Sequence, residues 1–345
     1  MSSAPMVPLQ RVVWEVGAGP RVRSTSPTLT LREARRVVRC MARSPERPTV
    51  VLSGVDPLAP PGRGIPVAGL VEVLVAYRFP TGVALHPLAA CTTRAPGIWA
   101  AMGVQHVVLH IDTALDSPLP DAPGVRRTDG ATLVYARAVV DAGMQLHITT
   151  RVTALTAPDL IAISALLPSL HVSAWEVSFV VPTAAVARSE SLRAARQERV
   201  LAWLTRYAAS APFPVTTEGA PHFIRHTHPH PEHRTLVPVL RDAQGMLYIT
   251  AGGDVWPGPD LPLSAGNVRQ HSPQVLYRST PLFKNLRNAS QLGGRCGWCA
   301  WSRVCGGSRA RAYALTGDAL AQDPHCAPVM VPAAPQSRRQ SQTPT

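Results

Sequence analysis

The sequence has no long apolar run and no recognisable targeting segment. Apolar stretches such as Val71 to Tyr77 are far shorter than the roughly 20 residues that a membrane-spanning helix needs. The start, MSSAPMVPLQR, lacks the charged segment followed by an apolar segment that marks a secretory signal. Six cysteines in 345 residues are too few for a disulfide scaffold. We therefore expect a cytoplasmic protein with no membrane partner.

Aromatic residues and lysine are also scarce. Aromatics make up 5% of the chain and hydrophobic residues 46%, so the core must be built mainly from aliphatic side chains. The formal net charge is +13, yet Lys284 is the only lysine and the arginines are dispersed. A nucleic-acid-binding protein is expected to show a basic stripe or an aromatic platform, and the sequence shows neither. Nucleic acid is therefore not an expected partner.

Alternating strand-like and helix-like stretches predict an α/β fold. Thr30 and Glu33 form a capping box that opens the first helix. Strands that alternate with helices imply a parallel sheet with right-handed crossovers, as either an open sheet or a partial barrel. The six predicted strands are Val12 to Val16, Thr49 to Leu52, Val83 to Leu85, Val107 to Ile111, Leu146 to Thr149 and Glu176 to Val181.

The carboxyl ends of these strands form the candidate pocket, because ligands of parallel α/β sheets bind there. Asp112 and Arg151 lie at two of these ends, and we take them as candidate cofactor-contacting residues. Together with His86 and His110 they also supply acid–base groups for a different enzyme chemistry on the same fold. No Ser-His-Asp spacing or phosphate-binding glycine loop supports that chemistry.

Beyond the sixth strand the sequence changes character. Ser189 to Ser210 is predicted to be an amphipathic helix. The histidine-rich segment from His222 to His233 is interleaved with proline and has no period, so we predict a surface loop rather than a metal site. Met246 to Thr250 and Gly252 to Trp256 are predicted to form a hairpin, and the tail after Val331 is predicted to be disordered.

Four of the six cysteines lie close together near the C-terminus. Cys296, Cys299, Cys305 and Cys326 have the spacing C-x2-C-x5-C-x20-C, which is enough for an all-sulfur tetrahedral site. Such a set suits either an iron–sulfur cluster or a structural zinc ion. Without metal the segment would be a reduced knuckle or carry two disulfides. We predict a metal centre.

Two stretches of the C-terminal part resemble a known family. GDVWPGPDLPLSAGNVR at 253–269 and CGWCAWSRVCGGSRARAYALTGDALAQDPHC at 296–326 are similar to the SPASM/Twitch extension of radical S-adenosylmethionine (SAM) proteins. The similarity points to the branch that includes haem d1 and alternative haem biosynthesis enzymes. The family's partial (β/α)6 barrel agrees with the six-strand pattern, so the resemblance covers nearly the whole chain.

The resemblance implies a division of the chain and a cofactor. It implies that the four C-terminal cysteines ligate an auxiliary [4Fe–4S] cluster. The implied segments are a tail at 1–10, a radical-SAM-like partial barrel at 11–215, a His/Pro-rich linker at 216–245, a SPASM/Twitch domain at 246–330 and a disordered tail at 331–345.

The sequence departs from the family where the catalytic cluster is expected. A working member carries C-x3-C-x2-C just after the first strand, and its three thiolates hold a cluster whose fourth iron is open to SAM. The corresponding positions here are Pro20, Ser24 and Pro27, none of which is a thiolate ligand. Cys40 and Cys91 cannot rebuild that loop, and we predict that they pack as small hydrophobic residues.

A second family motif is eroded. The Gly-Gly-Glu-Pro sequence that holds the SAM amino group in the family corresponds here to Gly54, Val55, Asp56 and Pro57. Val55 crowds a position that the family keeps bare, and Asp56 offers a carboxylate that is one methylene shorter. Gly54 and Asp56 are therefore candidate SAM contacts, and the motif leaves open whether SAM still binds.

The predicted function is that of a radical SAM/SPASM-like protein that has lost its SAM-cleaving cluster. Such a protein would act as a partner of an intact paralogue, as an electron-transfer or substrate-delivery subunit, or as a binder of a peptide or tetrapyrrole. The alternative is a zinc-stabilised binding protein, in which the four cysteines hold Zn²⁺ and perform no redox chemistry.

Overall fold

A computed structural model describes residues 7–17, 26–55, 65–86, 89, 91–119, 125, 127–182, 188–227 and 240–327. The strands of these residues join in one sheet. They are β1 (Arg11–Glu15), β2 (Thr49–Val55), β3 (Thr81–Leu85), β4 (His106–His110), β5 (Gln145–Val152), β6 (Ala174–Phe179), β7 (Val215–Glu218), β8 (Met246–Ile249) and β9 (Val255–Trp256).

Helices follow most of the strands. The α-helices of the described residues are α1 (Leu31–Met41), α2 (Val67–Ala76), α3 (Arg94–Ala101), α4 (Gly130–Asp141), α5 (Leu160–Leu166), α6 (Ala194–Ala208), α7 (Phe223–Thr227), α8 (Pro273–Ser279), α9 (Pro281–Arg287), α10 (Gly294–Trp298) and α11 (Arg309–Thr316). None of them combines the length and apolar character that crossing a bilayer requires.

The sheet has the order β7-β6-β5-β4-β3-β2-β1-β8-β9 and is parallel from β7 to β8. In a flat sheet, β1 and β6 would lie about 24 Å apart, given a strand spacing of about 4.8 Å. However, Arg11 Nη1 in β1 is 3.2 Å from Glu176 Oε2 in β6. The sheet is therefore curled into a half barrel, and this ion pair crosses its interior.

Polar side chains fill the amino-terminal end of the half barrel, opposite the predicted pocket. His106 in β4 and His147 in β5 stack with ring centroids 4.7 Å apart. Gly82 in β3 makes room for this pair, because a Cβ there would lie 2.0 Å from His106 Nε2. Burial, reinforced by the charges of His147 and Arg11, lowers the pKa of His106 to about 3.

Helix α1 begins with the predicted capping box. Thr30 Oγ1 accepts the Glu33 N–H at 3.2 Å, and Glu33 Oε2 accepts the Thr30 N–H at 2.8 Å. Glu33 Oε1 also accepts a hydrogen bond from Arg269 Nε at 2.6 Å. This hydrogen bond is the largest of the effects that lower the pKa of Glu33 to about 2. The capping side chain thereby ties the first helix of the barrel to the C-terminal part of the chain.

The structure confirms the α/β class, the six predicted strands and the β8–β9 hairpin. Two features were not predicted. β7 adds a seventh parallel strand next to β6, and β8 pairs in parallel with β1. The segment expected to be a linker, 216–245, thus contains most of β7 and all of α7. The division of the chain into domains stays a prediction. β7, with the sequence VTTE, is too short and polar to give a periodic signal.

We predict that His106 makes the fold acid-sensitive. The pKa of His106 is about 3 in the folded protein, below the ordinary histidine value of 6.5 that holds in the unfolded chain, so acid protonates the unfolded chain first. The free energy of unfolding should therefore fall as the pH drops from 6.5 towards 3, by at most about 1.4 kcal/mol per pH unit from this group. A His106→Phe variant, which keeps an aromatic ring, should lose less stability over that window in urea unfolding. The same replacement at exposed His271 is the control, and equal pH slopes in all three proteins would refute the assignment.

Candidate metal centre

Short helices and tight turns present the four cysteines. Cys296 lies in α10, and Cys299 follows that helix directly. Cys305 ends the next turn, after which Gly306 and Gly307 take the left-handed conformation, with φ of 64° and 68°. Ser308 then caps α11 by accepting the Arg311 N–H at 3.2 Å. The chain therefore reverses around Cys305 before it runs on to Cys326.

Nitrogen donors surround the sulfur atoms. Cys296 Sγ is 3.5 Å from the Asp323 backbone nitrogen and 3.8 Å from Arg309 Nη2. Cys299 Sγ accepts the Trp301 N–H at 3.4 Å, and Cys326 Sγ is 3.3 Å from Arg225 Nη1. Donors of this kind stabilise thiolates rather than thiols.

Burial works against the thiolate. Cys296 and Cys305 are buried, and Cys299 and Cys326 are partly buried. Burial raises the pKa of Cys305 to about 12, although the Gly307 N–H and the charges of Arg225 and Arg241 lower it. Burial also raises the pKa of Cys326. Binding of a metal or cluster at Cys305 and Cys326 would therefore have to release their protons.

Asp323 organises the loop that leads to Cys326. Its side chain is fully buried, 3.4 Å from Arg311 Nη1 and 3.2 Å from His222 Nε2. Its carboxylate accepts the backbone N–H of Ser308 at 2.7 Å and of His325 at 2.9 Å. Burial would raise the pKa of Asp323, but the Arg311 charge and His222 outweigh it and hold the pKa well below its usual range. The carboxylate is therefore a fixed anion behind Cys296.

The expectation of a surface loop from His222 to His233 is wrong for its first six residues. His222 is completely buried, with Nδ1 3.2 Å from Gln197 Nε2 of α6. Arg225 and His226 in α7 bind the two carboxylate oxygens of Glu198, at 2.7 and 2.8 Å. The helical spacing i, i+3, i+4 of the two histidines and the arginine was the available signal, and the prolines after Thr227 masked it. Residues 228–233 lie outside the described residues.

A cavity adjoins the cysteine segment between the two edges of the curled sheet. It is lined by Gly219 after β7, by Gln244 before β8 and by Cys305. Arg241 crosses this region and donates from Nη1 to the Cys305 carbonyl oxygen. The cysteine segment thus lies in the gap between β7 and β8, on the two opposite sides of the curled sheet.

The donor set fits an all-sulfur cluster. Four cysteines can ligate an iron–sulfur cluster, and backbone and guanidinium donors near their sulfur atoms would tune it. In the part of the chain that the structure describes, no three His, Cys, Asp or Glu side chains are gathered tightly enough to hold a single ion. The four cysteines as ligands of one centre stay a prediction.

The structure also brings together two residues of the predicted pocket. Asp112 is fully buried after β4, and its Oδ1 accepts the backbone N–H of Arg151 in β5 at 2.7 Å. Arg151 Nη2 lies 3.8 Å from Glu190 Oε2. Asp112 therefore links the carboxyl ends of β4 and β5. A contact of Asp112 or Arg151 with a cofactor stays a prediction. Their use with His86 and His110 in acid–base chemistry also stays a prediction.

The other residues singled out in the sequence lie at a strand end, against the core or outside the described residues. Gly54 has a φ of 75° at the end of β2, and its carbonyl oxygen lies 2.3 Å from where a Cβ of Gly17 would be. Cys40 lies in α1, and Cys91 follows β3 and packs partly against the core. Asp56, Pro57, Pro20 and Ser24 are outside the described residues.

We predict that Gly307→Ala destabilises the protein more than Gly317→Ala. Both glycines have positive φ, so each substitution costs about 1–2 kcal/mol of backbone strain. A Cβ at Gly307 would also lie 2.8 Å from Asp323 Cβ and 3.3 Å from Cys296 Sγ, whereas one at Gly317 meets nothing within 4 Å. The crowding should remove a further 1–3 kcal/mol or so from the free energy of unfolding in urea. Equal losses would contradict the described packing.

Known proteins are similar to this chain in sequence. No protein-family model matches the sequence. An AdoMet-dependent heme synthase from Methanosarcina barkeri is 28% identical over 94% of this chain and 97% of its own length. A pre-heme d1 synthase from Dinoroseobacter shibae is 41% identical, but over only 24% of this chain and 21% of its own length.

Solved structures share the fold. SuiB of Streptococcus suis bound to S-adenosylmethionine has a TM-score of 0.70 at 16% identity, over 93% of this chain and 77% of SuiB. SuiB bound to its precursor peptide SuiA has a TM-score of 0.69 at 16% identity, over 92% of this chain and 75% of SuiB. From these likenesses in sequence and fold, the chain belongs to the radical SAM superfamily, among the members with a SPASM-type C-terminal domain.

Proposed function

We propose that this chain is a radical SAM/SPASM protein that holds one auxiliary [4Fe–4S] cluster on Cys296, Cys299, Cys305 and Cys326 and does not cleave SAM. The observation that carries the proposal is a contrast within one chain. The C-terminal cysteines sit in a built environment of buried charges and N–H donors, while the loop after β1 offers Pro20, Ser24 and Pro27 in place of thiolates.

The protein's own residues would hold the cluster in a defined charge environment. A bound [4Fe–4S] cluster supplies one-electron transfer. Arg225 and Arg309 direct guanidinium groups at two of the sulfur atoms, at 3.3 and 3.8 Å. Asp323 keeps the turn before Cys326 closed by accepting two backbone N–H groups. The two guanidinium groups favour deprotonated cysteines, and the Asp323 contacts keep the loop from opening to water.

The role we propose is that of a partner protein in tetrapyrrole or peptide modification. The AdoMet-dependent heme synthase and the pre-heme d1 synthase are named for tetrapyrrole products, and SuiB binds a precursor peptide. A chain that keeps the fold and the auxiliary centre, but not the catalytic thiolates, would deliver substrate or electrons to an intact paralogue. Gly54, Asp56, Asp112 and Arg151 would line its residual SAM pocket.

The first test is the metal content of anaerobically purified protein. We expect about four iron and four sulfide per chain and a broad absorption near 400 nm. Cys296→Ser should lose most of this iron, because Cys296 is buried and contacts Asp323 and Arg309. Cys40→Ser is the matched control, since Cys40 lies on α1, and should keep wild-type iron. A colourless protein with one zinc per chain would overturn the cluster in favour of a structural zinc site.

The second test is SAM cleavage. Reconstituted protein incubated with dithionite and SAM should form no 5′-deoxyadenosine above a protein-free blank, because the chain lacks the three thiolates that would hold the SAM-cleaving cluster. The heme synthase of M. barkeri, treated identically, is the positive control. Turnover similar to that control would refute the loss of catalysis without affecting the auxiliary centre.

A further inference from the structure

We propose that Arg225 is a positioning residue that sets the reduction potential of the C-terminal cluster, and that Glu198 opposes it. The inference rests on the cluster proposed above. It assigns a role to the start of the histidine-rich segment, which neither the family resemblance nor the spacing of the cysteines explains.

Arg225 is held between an anion and a cysteine. Its Nη2 is 2.7 Å from Glu198 Oε1, and its Nη1 is 3.3 Å from Cys326 Sγ. The Arg225 side chain is 4% exposed, and the Glu198 side chain is 20% exposed. The guanidinium therefore cannot turn away from the sulfur without breaking a buried ion pair.

Two further contacts fix the helix that carries Arg225. His226 Nε2 is 2.8 Å from Glu198 Oε2, so both carboxylate oxygens of Glu198 are engaged by α7. His222, just before the helix, lies between Gln197 of α6 and Asp323 of the cysteine segment, 3.2 Å from each. Helix α7 therefore connects the barrel helix α6 to the loop that bears Cys326, at two separate points.

This arrangement has a direct electrostatic consequence. Reduction of a thiolate-ligated cluster adds one negative charge, so a nearby cation stabilises the reduced form and raises the potential. A charge buried beside the sulfur is screened far less than one in water. Glu198 acts with the opposite sign, because its negative charge partly cancels that of Arg225.

The guanidinium near Cys296 serves a different purpose. Arg309 is 3.8 Å from Cys296 Sγ, but its Nη1 binds the carbonyl oxygens of Ala319 and Ala321, at 2.9 and 2.7 Å. Removing Arg309 would therefore disrupt the backbone of the segment. Among the described residues, the Arg225 guanidinium donates hydrogen bonds to the side chains of Glu198 and Cys326 only, so its charge can be changed with less effect on the backbone.

The test compares substitutions that change charge in opposite directions. Full-length protein, reconstituted anaerobically, is titrated with redox mediators, and the reduced cluster is followed by electron paramagnetic resonance. Arg225→Met should shift the midpoint potential to more negative values, and Arg225→Lys should largely restore it. Glu198→Gln should shift it to more positive values. Arg199→Met is the control, because Arg199 neighbours Glu198 in sequence but is exposed.

The opposite signs separate an electrostatic role from a structural one. Damage to the fold would shift the potentials of both variants in the same direction or abolish both clusters. Equal potentials in Arg225→Met, Glu198→Gln and Arg199→Met, or shifts of the same sign in the first two, would overturn the inference while wild-type iron still supports the proposed cluster. Wild-type protein without iron would overturn both. If Arg225→Met does not fold, the positive shift of Glu198→Gln against Arg199→Met decides.

Discussion

Parallel pairing between β1 and β8 is the constraint on which the rest of the structure depends. Residues Arg11–Trp14 of β1 pair with Met246–Ile249 of β8, more than two hundred residues later in the sequence. This pairing places the C-terminal part at one edge of the curled sheet, while β7 forms the other edge. The cysteine segment lies against both edges, since Arg241 precedes β8 and Arg225 follows β7, and each contacts a cysteine residue of the segment.

Buried charged groups lie at two places in the structure. At the amino-terminal end of the half barrel, Arg11 and Glu176 cross the interior and His106 is kept neutral by burial. At the cysteine segment, Arg225 and Arg309 point at the sulfur atoms of Cys326 and Cys296. Buried cations need anions to compensate them, and Glu198 and Asp323 compensate Arg225 and Arg311. Thiolates bound to the proposed metal centre would add negative charge beside Arg225 and Arg309, which links the packing to the proposed function.

Much of the fold was accessible from local patterns. The Thr30–Glu33 capping box, the six buried strands and the hairpin were predicted because each leaves a signal within a few consecutive residues. β7 was missed because four residues of the sequence VTTE are stabilised by their neighbour β6 rather than by their own pattern. His222 was misjudged for a similar reason, since its burial depends on Gln197 and Asp323, which are distant in sequence.

The sequence by itself determined six of the parallel strands, the spacing of the four cysteines and the absence of thiolates after the first strand. These are properties of consecutive residues, and they require no knowledge of long-range contacts. Only the tertiary structure decided which charges surround the cysteines. Arg225, Glu198 and Asp323 come from three separate segments, and they meet because the sheet curls and brings its two edges to the same place.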